Sequence, residues 1–211
     1  MVDGRPVRKL IRLIPFALLA LVAVVSTGAA AGPSPYRRAD WGEWRGTCPN
    51  TRTRVLMRDA KPAPVAADPS YAPGPPTQPG YLFQDGGCRL SWVRIESPYT
   101  GHMVNDPAHL QVDHVLAVEE ANRAGGWRWS RQKKNEFYNW PYNHLAVEAS
   151  VNAAKGSRPP PAWQPRQEFL CRYLELRGAV RAAWQLRPPG DGEARFMRET
   201  LERCPPGGST G

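Results

Sequence analysis

Four side chains in the middle of the chain have the types and spacing needed for phosphate chemistry. Asp113 and His114 are adjacent in Gln111-Val112-Asp113-His114-Val115-Leu116, and Asn143 and Asn152 follow at a separation of nine residues. If the first segment is a strand, neighbouring side chains leave it on opposite faces. Asp113 can then hold a hard cation through oxygen while His114 faces a water. An imidazole that is neutral near pH 7 suits a general base, expected here to be exposed to solvent. Asn152 on a following helix supplies a second, uncharged oxygen ligand, which leaves most of the shell to water and phosphate. A site made of one carboxylate and one amide favours Mg²⁺ or Mn²⁺, bound weakly, over zinc or nickel.

The elements that must position these residues follow from local pattern. Leu110 to Val118 reads as a strand, and a helix then runs through Asn122 to a stop at Gly125-Gly126. Ser130 is an N-cap for a helix reaching about Asn139, with Pro141 beyond it. Leu145-Ala146-Val147 is a short apolar strand, and Ser150 to Lys155 is a short helix ended by Gly156. Upstream, Thr51 to Ala60 reads as a helix and Cys88 to Ile95 as a strand. Downstream, Phe169, Leu170, Tyr173, Leu174, Leu176, Val180 and Trp184 make a broad apolar face on a helix over Arg166 to Leu186. Pro188-Pro189-Gly190 breaks it, and Asp191 is placed to cap a last helix ending near Cys204. The Pro- and Ala-rich stretch Lys61 to Gly80 has no apolar period and is expected as a long loop.

Charge and termini limit the setting. The 211 residues carry a formal charge of +9, which favours polyanions as partners. Arg5, Arg8, Lys9 and Arg12 precede an apolar core over Leu13 to Val25, and Ala29-Ala30-Ala31 offers a cleavage site. That core is shorter than the ~20 residues of a membrane span, so an export signal over 1–31 is expected and an uncleaved anchor is the alternative. Cleavage leaves a mature charge of about +6. The resulting organisation is a signal at 1–31, a linker at 32–47, one domain over 48–204 and a flexible tail at 205–211. Four cysteines in an oxidising compartment, none in a C-x-x-C pair, point to two disulfides. A helical hairpin would bring Cys171 and Cys204 to similar heights, which favours that pairing and leaves Cys48 with Cys88.

The ordered set of short motifs resembles the HNH, or ββα-metal, nucleases. The longer likeness is to the secreted bacterial members related to the C-terminal nuclease domain of the GmrSD restriction enzymes. It is carried by Cys48-Pro49-Asn50-Thr51-Arg52, Val55-Leu56-Met57-Arg58-Asp59, Gly87-Cys88, Ser97-Pro98-Tyr99-Thr100-Gly101, Asp113-His114, and Asn143 through Gly156. It covers about Cys48 to Cys204. Ala117 stands where the family has Pro. The resemblance implies an α+β fold with a ββα-metal core and a C-terminal helical hairpin. It also implies metal-assisted phosphodiester hydrolysis. His114 would be the base and Asp113 and Asn152 the metal ligands. Asn143 would brace the loop between the strands and orient His114 by a hydrogen bond, and Lys155 and Arg158 would neutralise phosphate charge. The expected substrate is nucleic acid, DNA before RNA, cut with little sequence preference by a secreted monomer that has no stable hold on a membrane.

Blander roles are expected for the remaining polar and aromatic residues. His102 and His109 read as loop residues, and the offset of His144 should point it away from the site. Arg58 and Asp59 form a buried structural brace, Tyr99 and Thr100 shape a turn, and Trp127, Trp129 and Trp140 pack in the core. Two rivals to the nuclease remain: a non-catalytic polyanion-binding protein on the same scaffold, and a cell-envelope protein held by its N-terminal helix.

Overall fold

The computed structural model describes residues 34–62, 80–84 and 88–205. The export signal, most of the Pro-rich loop and all but the first residue of the expected tail lie outside them. The helices are α1 (Thr51–Asp59), α2 (Val118–Arg123), α3 (Arg131–Tyr138), α4 (Ala149–Lys155), α5 (Gln167–Ala183) and α6 (Asp191–Leu201). The strands are β1 (Tyr81–Phe83), β2 (Leu90–Val93), β3 (Ile95–Glu96), β4 (Met103–Val104), β5 (Leu110–His114) and β6 (His144–Glu148). They pair as three small antiparallel sheets, β1 with β2, β3 with β4 and β5 with β6. The fold is α+β, as expected. Among the described residues no helix is long and apolar enough to cross a membrane.

Two of the helices begin at side-chain caps. The Asn50 side chain accepts from the Thr53 amide at the start of α1, and Ser130 accepts from the Lys133 amide at the start of α3. Three local expectations are corrected. The strand expected over Leu110 to Val118 ends at His114: one more bond follows in the same register, from the Val115 amide to the Asn143 carbonyl, and the chain then bends into α2 at Val118. The strand expected over Cys88 to Ile95 breaks at Arg94, whose amide bonds the Gly80 carbonyl, so Ile95 joins a different sheet. Gly190, not Asp191, is the N-cap of α6, and Asp191 is its first residue.

The expected linker is the larger correction. Over 34–47 the chain is docked on the body rather than spanning solvent. Trp41 is 0% exposed, packed with Leu116, Phe137 and Val180, while Arg45 binds Asn135 and Asn139 at 2.8 Å each. Burying one large aromatic contributes several kcal/mol, enough to hold a short segment that composition marks as irregular. Trp129 and Trp140 pack against the same cluster, which is the core role expected for them.

The β5–β6 pair divides the interior in two. Leu110, Val112 and Ala146 face α1, with Val55 and Leu56. Leu145 and Val147 face the other way, against Leu170, Tyr173 and Leu174 of α5 and Val151 of α4. Behind the second layer lies a buried group of two arginines and two glutamates. Arg177 reaches Glu120 and Glu193 at 2.5 Å each, and Arg181 contacts the same two carboxylates. The group is balanced in charge and joins α2, α5 and α6. Arg177 also donates to the Val115 carbonyl at 3.0 Å, which fixes the residue after His114.

Both expected disulfides are present, Cys48–Cys88 and Cys171–Cys204. The second closes the α5–α6 hairpin with its Cα atoms 5.9 Å apart. Opening it by a Cys171→Ala, Cys204→Ala double substitution releases a loop of 33 residues. The expected loss is about 3–4 kcal/mol, read as a lower urea midpoint, with a steeper slope because the unfolded chain is no longer cross-linked.

Candidate functional site

The site residues hang from β5, β6 and the two elements that flank them. The register sets His114 opposite His144 and Asp113 opposite Leu145. Pleating then sends His114 and His144 to the α1 face and Asp113 and Gln111 to the α4 face. Asn143 sits just before β6 and braces the loop: its Oδ1 accepts from the Leu116 amide at 2.9 Å and its Nδ2 donates to the Leu116 carbonyl at 3.1 Å, so its side chain bonds Leu116 rather than orienting His114, whose Nε2 meets the Tyr138 carbonyl instead.

On the α4 face Asp113 is only 5% exposed. Its carboxylate accepts the Tyr99 hydroxyl at 2.5 Å and pairs with the Lys155 ammonium at 3.0 Å. Lys155 is 1% exposed and also donates to the His114 carbonyl at 3.0 Å. A lysine expected to meet phosphate at the surface is therefore turned inward. Burial first, and then the Asp113 charge, push the Tyr99 phenol well above its ordinary pKa, so it remains a donor. Tyr99 thus contacts the motif acid directly instead of only shaping a turn. Asn152 is partly exposed and donates to Gln111 Oε1 at 2.9 Å. Arg158 is exposed and folds back on the Lys155 carbonyl at 3.3 Å.

On the opposite face His114 is 8% exposed and His144 2% exposed. Neither is the solvated ring expected for His114, and His144 does not point away. The two Nε2 atoms lie 3.3 Å apart, and each also meets the Tyr138 carbonyl oxygen, at 2.8 Å from His114 and 2.9 Å from His144. Trp44 stacks parallel on His114 and edge-on to His144. Arg58 holds the turn before β6 through the carbonyls of Pro141 and His144, and Asp59 accepts the Ala146 amide at 2.8 Å. This pair is the expected brace, half-exposed rather than buried. The sequence reading missed Trp44, hidden in the apparent linker, and Tyr138, which contributes only a backbone atom. The exposed His102 bonds Glu148, and His109 is exposed on its loop.

Burial, and then the neighbouring His144, hold the His114 pKa well below its usual value, and burial lowers that of His144 to about 4. Both rings are neutral at pH 7. Since the unfolded chain binds these protons near pH 6.5, acid favours unfolding. The stability from keeping His144 neutral is complete above pH 6.5 and drains as the pH falls toward 4, on the order of 3 kcal/mol in all. Urea midpoints should fall over that window in the wild type and less steeply in His144→Gln. Equal slopes would refute the neutral buried ring.

No family model matches the chain, and no solved structure gives a significant match to it. The chain is similar to an uncharacterized secreted protein of Arthroderma benhamiae, 28% identical over 173 residues that cover 81% of this chain and 75% of the relative. With two disulfides formed, that likeness decides the compartment. This is a secreted protein.

Proposed function

We propose that this secreted protein hydrolyses phosphodiester bonds in nucleic acid, DNA before RNA, as a monomer of the HNH type. The observation that carries the reading is the order and bracing of three elements. An antiparallel pair, β5–β6, is joined through a connection that Asn143 ties at both amide atoms, and α4 follows directly and returns to Asp113 and Gln111. That is the succession the ββα-metal core requires. The basic charge, +9 for the full chain and about +6 without residues 1–31, supports a polyanionic substrate. His114 is the residue on which cleavage is proposed to depend. Arg158, exposed beside α4, is the proposed phosphate contact.

The Mg²⁺ or Mn²⁺ that belongs to such a core would sit between Asp113 and Asn152. As they stand these residues do not fit it. The Asp113 carboxylate is already neutralised by Lys155 and bound by Tyr99, and among the described residues no three acidic, histidine or cysteine side chains converge. No step is assigned to an ion at that position. The same pairing favours a second reading, a non-catalytic polyanion binder on this scaffold, since it leaves the motif acid without a free oxygen.

The oxidised protein with supercoiled plasmid separates the two. Nicked and linear products are the expected result, with Mg²⁺, Mn²⁺ and a chelator run in parallel. Retarded but intact plasmid under every divalent ion would overturn the nuclease and establish the binder.

A further inference from the structure

We propose that His114 Nε2, His144 Nε2 and the Tyr138 carbonyl oxygen form a binding site for one transition-metal dication of the zinc class. The assignment rests on these three donors alone and is independent of the nuclease reading.

The donor spacing carries it. The three atoms are separated by 3.3, 2.8 and 2.9 Å. Bonds of about 2.0–2.1 Å meeting at roughly 90–110° place neighbouring ligand atoms about 2.8–3.4 Å apart. One ion can therefore cap all three with small adjustments. The ring planes cross at 82°, so the two imidazoles converge edge-on rather than stack.

Proton placement defines what a cation would replace. The Tyr138 carbonyl oxygen has two lone pairs, so without metal both Nε2–H groups can donate to it. A cation held by the same three donors takes the place of those two protons, and the ring protons then sit on Nδ1.

The carbonyl is also suited to the task. Tyr138 is the last residue of α3, where the final carbonyls have no helical partner and the helix dipole favours positive charge. The surrounding groups hold the donors in place: Trp44 lies against both rings, Arg58 fixes the His144 carbonyl and Asn143 fixes the loop. The nearest cations already have partners. Lys155 is bound to Asp113, Arg38 to the Gly42 carbonyl, and Arg58 to two carbonyls and Asp59. Two nitrogens and one oxygen select zinc, nickel or copper over magnesium.

The test is a titration of metal-free, disulfide-intact protein with zinc chloride, followed by proton–nitrogen NMR of the imidazoles and by competition with a chelator. One equivalent should bind. Of the four histidines in the chain, the two buried rings should shift and His102 and His109 should not. His144→Ala should weaken zinc binding by more than about 100-fold, and Asn152→Ala should leave it unchanged. Three results would overturn the site: no binding at micromolar protein, shifts confined to the exposed histidines, or loss in Asn152→Ala with retention in His144→Ala. If His144→Ala does not fold, the wild-type NMR pattern decides alone. Zinc bound without plasmid cleavage would uphold the site and refute the nuclease. Cleavage by magnesium in protein that takes up no zinc would do the reverse.

Discussion

His114→Ala is expected to lower plasmid cleavage by about 10²–10⁴-fold at saturating metal. The ring is the one imidazole that the motif spacing, the strand end and the Asn143-braced loop all converge upon. Its loss removes a neutral base or ligand at pH 7 from either role considered above. Because the side chain is buried under Trp44, the substitution also leaves a cavity, and a cost of about 1–3 kcal/mol accompanies it. The measurement must therefore pair initial rates with a urea midpoint, at a temperature where the variant is fully folded. Wild-type rates from folded His114→Ala would end the proposal that this histidine serves the reaction. His102→Ala, on an exposed loop, should change neither quantity.

Lys155→Met should destabilise the protein by about 3–5 kcal/mol, the largest effect expected of any single change at the site. The substitution nearly preserves volume but leaves the Asp113 carboxylate buried with only the Tyr99 hydroxyl as partner. A domain of this size should lose roughly 6–20 °C in melting temperature. Adding Asp113→Asn removes the stranded charge and should restore much of the loss, so the two changes together cost less than their sum. A surface lysine meeting phosphate would behave oppositely: Lys155→Met would then be neutral for stability and costly only for activity. Additive effects, or a neutral Lys155→Met, would show that the buried pair does not hold the fold.

What was legible in the sequence was what depends on neighbours along the chain. Asn50 and Ser130 cap their helices, Gly156 ends α4, and the apolar face from Phe169 to Trp184 makes α5, because each signal acts within a turn or two. The Cys171–Cys204 pairing was legible for the same reason, since a hairpin of known arm lengths sets the heights of its residues. Alternation along β5 told that Asp113 and His114 part company, and the resemblance to the HNH nucleases implied the loop brace at Asn143.

Only the tertiary structure decided what covers each face. The α1 side, with Trp44 and the end of α3, buries His114 and draws in His144, whereas the α4–α5 side buries Asp113. A period of two says that side chains alternate but not which set meets which partner. Inward or outward placement of Lys155 turned on a carboxylate 42 residues away, and a buried charge is tolerated only where such a partner waits. Docking of 34–47 turned likewise on a slot for Trp41 made by residues from α2, α3 and α5. Those contacts join residues far apart in the chain, so no local composition or period encodes them.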